Sequence, residues 1–537
     1  MSQVVTNGAK AAYTVVIWFR NDLRLRDNAV LQHPELKKAT HLLGVYCFDD
    51  RFENRFTRRF REQALGELQQ DFSNTFGAPL QCFQGKPENI IPQIVQSLSN
   101  TSGGSVLASE EVTSYEKGID EKLQASLSPL GFSLRLVWNY SLYHPDDLPF
   151  DVRAGELPEP YTSFRKRIED NNVQVRPLLE VPQLPKLPCP EFKGQGVRLE
   201  SLPSIFTPRD NGEARDISPH GFESKTSGTE SHCLTFRGGE SAALQRLEYF
   251  IEHGLAEYKT KRNGSVGWDY SSKMSPWLAA GCISPRQIYH RIQKFENKHG
   301  ESVHTYWCAV FEQLWRDFLR FHAMKYGNKI FFELGPSGEM PKGATWSYGD
   351  RDTVRKFEAW KEGRTGIPWV DGHMREIVRT GFMSNRGRQN VASFLIHNLQ
   401  VDWRKGAKFF EDTLIDHDVT SNYGNWLAVA GVASRGSRLN RFNMDKQARD
   451  YDKLAEHARL WIPELSSVRP EAIHDLALRG NNSGMDKYRK SVALADAEKA
   501  KVNYPTPIVR LPQHDPSKRH SRTKRAHKGK NNVFYTT

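Results

Sequence analysis

The sequence is marked first by what it lacks. No apolar run approaches the ~20 residues of a membrane-spanning helix, and only 38% of the 537 residues are hydrophobic, so no membrane partner is expected. Cysteine is scarce: the six residues Cys47, Cys82, Cys189, Cys233, Cys282 and Cys308 include no CxxC pair. That excludes a disulfide frame or a Cys-based zinc site and predicts reduced intracellular thiols. No metal site is visible or needed. The 13 residues before the first strand hold one Lys and no Arg, which leaves no room for a signal or transit peptide of ordinary length and charge. A cytoplasmic and/or nuclear protein, and a monomer, is expected. No repeat of fixed period is present, and no GxGxxG follows the first strand, so an ordinary dinucleotide site is not expected there.

What is present begins with charge. The formal net charge is +12. Lys518, Arg519, Arg522, Lys524, Arg525, Lys528 and Lys530 supply seven of it with no acid between them. Such a run is either a solvated tail, a nuclear-import signal or a nonspecific phosphate contact. The remaining +5 is compatible with a nucleic-acid partner.

Residues 14–140 alternate short β-prone runs with helical patterns. TVVIWF (14–19), HLLGVYCF (41–48), PLQCFQG (79–85), SVLASEE (105–111) and LRLVWNY (134–140) read as strands, with helices such as Phe60–Phe72 and Glu88–Leu98 between them. This pattern predicts an α/β region with a five-stranded, parallel, doubly wound sheet, and ligands at the carboxyl ends of its strands. Prolines between 145 and 190 break regular structure, and 197–235 is rich in Ser, Pro, Gly and charge, the composition of a disordered insertion. From Gly238 the periodicity is helical: Ala243, Leu247, Phe250 and Ile251 form one stripe, Ser284 and Pro285 read as a helix start, Val303–Tyr326 reads as a buried or site-lining helix, and further helices are expected around 353–362, 372–380, 387–399 and 404–413. The organisation expected is 1–145 α/β, 146–236 connector, 237–500 all-α and 501–537 basic tail.

Three clusters in the helical region carry chemistry. Ile415–Trp426 (IDHDVTSNYGNW) packs Asp416, Asp418, Asn422 and Trp426 into a short stretch, with Trp403 upstream. Two acids this close repel unless a cation or ligand compensates them, which points to a large polar aromatic cofactor. Tyr270–Trp277 (YSSKMSPW) brings Ser271, Ser272, Lys273 and Ser275 to a helix start, either an anion cradle or an ordinary capped helix. Glu312 and Arg316 stand four apart around Trp315, the spacing of a helical ion pair. Asn385 and Arg388 share one helical face, and Asp416 is placed to pair with Arg388 or Arg316.

RNDLRLRDN, YKTKRN…DYSSKMSPWLAAGCISPR, EQLWRDF, TGFMSNRGRQNVASFL and DHDVTSNYGNW together resemble the cryptochrome/photolyase family, over roughly residues 14–465. RGRQNVASFL and the short C-terminal extension resemble its DASH cryptochrome branch. The resemblance implies FAD, U-shaped, in the helical region. Tyr258 would line its pocket; Ser271, Ser272, Lys273, Met274 and Ser275 would hold the diphosphate. Arg316 would flank the cofactor beside Glu312 and Phe318. Asn385 and Arg388 would contact the flavin side, Asp416 and Asp418 would bound the ribityl and isoalloxazine groups, and Asn422 would face N5. Trp426 and Trp403 match the first two members of the family's photoreduction relay. A third is expected near 350, where Asp350 stands, and Trp346 is preferred over Trp360. A 5,10-methenyltetrahydrofolate antenna would sit near the first region, with Glu110–Glu116 (EEVTSYE) supplying acids; Tyr115 departs from the family pattern there.

The resemblance further implies light-driven repair of cyclobutane pyrimidine dimers by a deoxyribodipyrimidine photo-lyase, preferentially in single-stranded DNA, with weaker binding of RNA or duplex. Glu312 would bond the pyrimidine edge, Trp315 would stack on the lesion, and Arg386 and Gln389 would lie at the rim, with Lys261 and Arg262 as phosphate contacts. Ala428 stands where the family places a large aromatic, and Tyr423 where a Trp is common. Ala428 and the basic tail favour the alternative, a blue-light photoreceptor that binds FAD and nucleic acid without repair. A flavin-free nucleotide-binding protein is the third reading.

Overall fold

The computed structural model describes residues 12–99, 101–193, 235–300, 310–437, 439–479 and 484–511. The basic run 518–530 and nearly all of the 197–235 insertion therefore lie outside the described residues, as does the start of the helix expected from Val303. Among the described residues no helix is long and apolar enough to cross a membrane.

Five parallel strands, β1 (Ala12–Phe19), β2 (His41–Phe48), β3 (Leu80–Gln84), β4 (Thr101–Ser109) and β5 (Phe132–Val137), form one sheet in the order β3-β2-β1-β4-β5. The chain winds outward in both directions from β1, as a doubly wound sheet does. Period-two alternation sends Val16, Trp18, Leu43, Val45 and Val106 to one face. There α2 (Pro87–Ser97) and α3 (Ser114–Leu127) cover them through Ile91, Ile94, Ile119 and Leu123. Val15, Ile17, Phe19 and Leu42 go to the other face, against Phe60, Leu65 and Phe72 of α1 (Arg55–Phe76).

One connection departs from the expected alternation. Between β1 and β2 the chain forms two 3₁₀ turns, Ala29–Gln32 and Pro34–Lys37, with no α-helix. The RNDLRLRDN segment lies here and acts as a clamp between regions. The fully buried Arg24 donates to Gly281 O at 2.9 Å and to Asp27 O at 2.9 Å. Asp27 in turn accepts from Ser284 Oγ and pairs with Arg286 at 2.8 Å.

The proline-rich stretch also holds a helix, α4 (Tyr161–Asp170). Tyr161, Phe164 and Ile168, at i, i+3 and i+7, bury one face of it.

The rest is helical: α5 (Glu240–His253), the one-turn α6 (Tyr258–Lys261), α7 (Ser275–Ala280), α8 (Pro285–His299), α9 (Glu312–Tyr326), α10 (Arg351–Lys361), α11 (Pro368–Thr380), α12 (Asn385–His397), α13 (Trp403–Glu411), α14 (Val419–Ala430), α15 (Met444–Tyr451) and α16 (Glu456–Trp461). Ser284 caps α8 in a reciprocal capping box with Gln287. Asp418 caps α14 by accepting from Ser421 N. The buried aromatic core of α9–α14 surrounds one large cavity.

Candidate functional site

The cavity has a volume of about 1160 Å³, above the ~300–1,000 Å³ of ordinary small-ligand pockets. Its wall is built from α4, α6, the 271–279 segment, α9, α12, α14 and the turn after α14. It gathers residues as far apart in sequence as Tyr258, Lys273, Glu312, Arg388, Asp416 and Asn422.

The floor is the 271–275 segment. Met274, not a serine, is the cap residue of α7, and it makes no side-chain cap bond. Ser275 is therefore free to reach across, and its Oγ donates to Asp416 Oδ2 at 2.6 Å. Arg246 shapes this floor from behind. It is fully buried on α5 and donates to Ser272 O at 2.9 Å, Trp268 O at 3.0 Å and Ser271 O at 3.1 Å. Three carbonyls are thus held away from the cavity. The only sequence signal for Arg246 is a charged residue three positions after Ala243, inside the apolar stripe.

Lys273 is buried, with its Nζ 3.1 Å from the Tyr270 ring centroid and no hydrogen-bond partner among the described residues. Burial lowers its pKa well below the ordinary lysine value. Asp416 Oδ2 also accepts from Arg388 Nη2 at 2.8 Å, whereas its buried Oδ1 has no partner among the described residues. A cation without an anion and a carboxylate oxygen without a donor, both on the cavity wall, are what a large ligand carrying phosphates and hydroxyls would complete. The residues fit FAD.

The expected Glu312–Arg316 pair does not form. Arg316 turns inward and donates to Tyr140 O at 2.6 Å and Leu278 O at 3.4 Å. Glu312 instead accepts from Arg262 Nη1 at 2.6 Å. Burial outweighs that cation and pushes the Glu312 carboxyl up to about 7. Lys261 pairs with Glu257 on the surface.

Asp418 is held by Arg320, at 3.1 Å, and Arg320 also pairs with Glu111 of the sheet region at 3.1 Å. Burial alone would raise Asp418, but Arg320 and Arg316 hold it well below the ordinary carboxylate range. Sequence reading missed Arg320, because its partners are 98 and 209 residues away.

On the opposite wall, Trp315 donates to Asn425 Oδ1 at 3.2 Å and stacks on Phe318. Asn422 donates to Ala407 O at 2.9 Å. Ala428 lies beside them. Arg386 reaches Asn263 at 2.8 Å and Gln389 at 3.0 Å, at the same rim. Asn385 and Tyr258 also line the cavity. The mouth adds Thr162, Arg165 and Lys166 of α4 and Arg435, none of which the sequence singled out.

Trp426 forms part of the wall and is 2% exposed. Its packing requires a glycine, since a Cβ on Gly406 would lie 2.2 Å from the indole. Trp403 is fully buried and donates to the backbone oxygen of Glu333 at 2.9 Å. The half-buried Trp346 donates to the Glu333 carboxylate at 3.2 Å. One residue thus holds both indoles. Trp360, the other indole near position 350, is fully buried with its ring 6.4 Å from Trp426.

A second cavity, about 450 Å³, opens at the carboxyl ends of β1 and β2. It is lined by Asp49, Glu53, Glu111 and Glu116 from the sheet side and by Lys408, Glu411 and Tyr423 from the helical side. His417 and Asp418 line both cavities. Glu116 Oε2 is buried without a partner among the described residues. Burial, together with Glu111, pushes its carboxyl up to about 7.

Comparison with known proteins agrees with this geometry. Residues 309–524 match the model of the FAD-binding domain of DNA photolyase, and residues 15–188 match that of DNA photolyase. The helical region is an FAD-binding domain. Cryptochrome DASH of Danio rerio is 40% identical over 516 residues, covering 94% of this chain and 91% of its own. Cryptochrome DASH of Synechocystis sp. is 40% identical over 513 residues, covering 93% and 96%. The crystal structure of the Synechocystis cryptochrome superposes with a TM-score of 0.77 at 36% identity, covering 97% of this chain and 99% of that one. A bacterial class III photolyase from Agrobacterium tumefaciens superposes at 0.71 with 26% identity, covering 98% and 99%.

Proposed function

Because the chain belongs to the cryptochrome/photolyase family, within the Cryptochrome DASH group, we propose that it is a light-driven, FAD-dependent lyase that splits cyclobutane pyrimidine dimers, preferentially in single-stranded DNA. The observation that carries this reading is Glu312. A carboxyl that keeps its proton to about 7 lies on the cavity wall beside Trp315, on the helix that also supplies Arg316. Such a group both donates a hydrogen bond to a pyrimidine carbonyl and shares its proton as charge develops there.

Reduced FAD supplies the electron when excited. The remaining work falls to the chain's own groups. Lys273 and the 271–275 segment bind the diphosphate, and Arg388 with Ser275 fixes Asp416 toward the sugar and ring edge. Asn422 uses one amide N–H on Ala407 O, so its Oδ1 would be the group that meets the flavin ring. Trp315 stacks on the flipped-out pyrimidines and excludes water from them. Arg386, Arg165, Lys166 and Arg435 meet the strand's phosphates at the mouth, with Gln389 at the rim. Trp426, Trp403 and Trp346 form an electron relay from the surface to the cavity, and Glu333 fixes the last two indoles. Single strands are preferred because a dimer there is already free of a partner strand, and because Ala428 leaves one stacking wall open, at a cost of ~1–3 kcal/mol per lost base–aromatic contact.

The second cavity is assigned to a 5,10-methenyltetrahydrofolate antenna, supported by Glu116 Oε2, a buried oxygen without a partner among the described residues, which could accept from an N–H of a pterin edge. DNA in the cytoplasm or nucleus is the expected target.

The open wall at Ala428 also favours a second reading, a blue-light receptor that binds FAD and DNA without repair. Reduced protein is illuminated with dimer-containing oligothymidine, single-stranded and then duplex. Recovery of thymine absorbance on single strands is expected. No recovery on either substrate leaves the receptor.

A further inference from the structure

Behind the 271–275 segment, outside both cavities, α11 and α16 bring together the one group of three His, Cys, Asp or Glu side chains close enough to hold a metal ion among the described residues. His373 and Glu376 stand three apart on one face of α11, and His457 comes from α16. Glu376 Oε2 is 2.9 Å from His457 Nε2 and 3.4 Å from His373 Nδ1, and one ligand atom from each of the three lies within 4.8 Å of the others. Both histidines are 0% exposed and Glu376 is 4% exposed. Glycine permits the approach: a Cβ on Gly372 would lie 3.2 Å from His457 Nδ1, and one on Gly387 would lie 2.7 Å from His373 Nδ1.

A second observation comes from the adjoining space. A cavity of about 20 Å³ borders Glu376 and is also lined by Ser265, Tyr270 and Thr380. That is room for a single water. Ser265 Oγ and Tyr270 Oη, both buried, have no hydrogen-bond partner among the described residues. Charge gives a third argument. The side-chain partners of the Glu376 carboxylate are two imidazoles, with no Lys or Arg in contact among the described residues. A carboxylate buried this deeply, without a Lys or Arg partner, is stabilised by a bound cation.

We propose that His373, Glu376 and His457 form a divalent-metal site, with a water in the adjoining cavity as fourth ligand and zinc as the ion best matched to two imidazoles and one carboxylate. Bonds of ~2.0–2.1 Å in a tetrahedron set neighbouring ligand atoms about 3.4 Å apart. The observed 2.9 and 3.4 Å need only small adjustment. The ion gives the buried carboxylate a cationic partner and ties α11 to α16. Its water also reaches the Tyr270 hydroxyl, immediately before the Ser271–Lys273 floor, so the site braces the flavin cavity from behind. The other ring nitrogens, His373 Nε2 and His457 Nδ1, have no partner among the described residues. Ligating histidines usually donate from that second nitrogen, and losing the partner weakens binding by ~10–100-fold. The site therefore holds a metal that chelators remove, rather than one locked in during folding. The sequence hid it because His457 lies 81 residues from Glu376, with no ligand-spacing motif to connect them.

The test uses the full-length flavin-loaded protein without an affinity tag of histidines, stripped with EDTA and then titrated with zinc chloride. One zinc per chain by elemental analysis after desalting is expected, with a rise in melting temperature that EDTA reverses. Cobalt(II) in place of zinc is expected to give tetrahedral d–d bands at longer wavelength than the flavin absorbs. Both signals are expected to disappear in Glu376→Gln and in His457→Gln. Wild-type protein that retains no zinc, shows no melting shift and gives no cobalt bands overturns the proposal. So does a folded Glu376→Gln that binds zinc as the wild type does. Because the wild-type readings decide alone, a variant that fails to fold leaves the test intact.

Discussion

The flavin cavity and the second cavity share a wall at His417 and Asp418 yet differ in charge. The flavin cavity gathers Lys273, Arg316, Arg386 and Arg388, with more cations at its mouth. In the second cavity acids outnumber bases, with Asp49, Asp50, Glu53, Glu111 and Glu116 on the sheet side. Neither tendency belongs to the chain as a whole. It arises because the shared carboxylate, Asp418, is neutralised by Arg320, whose other partner is Glu111. One buried cation thus lets a basic cavity and an acidic cavity stand back to back. Each cavity holds buried polar atoms without a hydrogen-bond partner among the described residues: Lys273 Nζ and Asp416 Oδ1 in the first and Glu116 Oε2 in the second.

The comparison is broken most severely by removing a counter-charge. Arg388→Ala leaves Asp416 buried beside Ser275 alone, and is expected to cost about 3–5 kcal/mol of stability. Purified protein should then be poor in flavin, read from the flavin-to-protein absorbance ratio and a thermal melt. Next in size is Glu312→Gln, expected to lower dimer repair about 100-fold with flavin content unchanged. The pH profile sharpens it. Glu312 holds its proton to about 7 in the folded chain, against about 4.3 unfolded. Folding therefore takes up a proton between those values, and the stability this group contributes falls as pH rises through that window. Repair should likewise fall as pH rises through about 7, and a Glu312→Gln profile that keeps this step removes Glu312 from the role.

Smaller effects separate the relay and the walls. Trp426→Phe is expected to slow photoreduction about tenfold without loss of FAD, measured as bleaching of the flavin absorption under blue light with an external reductant. Ala428→Tyr restores a stacking surface and is expected to tighten dimer-containing single strands by ~1 kcal/mol, read by fluorescence anisotropy. Glu116→Gln touches only the acidic cavity. It should weaken added methenyltetrahydrofolate several-fold and leave flavin content unchanged, which is the most direct check that the two sites are separable.

Much of this was legible before any coordinates. The five strands were readable because a sheet buried on both faces needs continuous apolar runs such as TVVIWF, and those runs fall within a few residues of the observed strands. The 271–275 and 415–426 clusters were readable because Ser, Asp and Asn concentrated near Lys and Trp are unusual in a plain helix. Helix α4 was hidden by flanking prolines, although Tyr161, Phe164 and Ile168 carried its period. The Glu312–Arg316 spacing misled, because an i,i+4 pair forms only where nothing better is within reach. Here Arg262 offered Glu312 a partner, and two carbonyls offered one to Arg316.

The sequence by itself determined the fold class, the family and the residue types gathered around the large cavity, since periodicity and contiguous motifs are local properties of the chain. Tertiary structure alone decided the partners: Arg24 with Gly281, Arg246 behind the Ser271–Ser272 carbonyls, Arg320 between Glu111 and Asp418, and His457 beside Glu376. Each of these groups is buried, and a buried charge must be met by whatever the folded core places within about 3 Å of it. That neighbour is set by packing across dozens to hundreds of residues, where sequence spacing carries no signal.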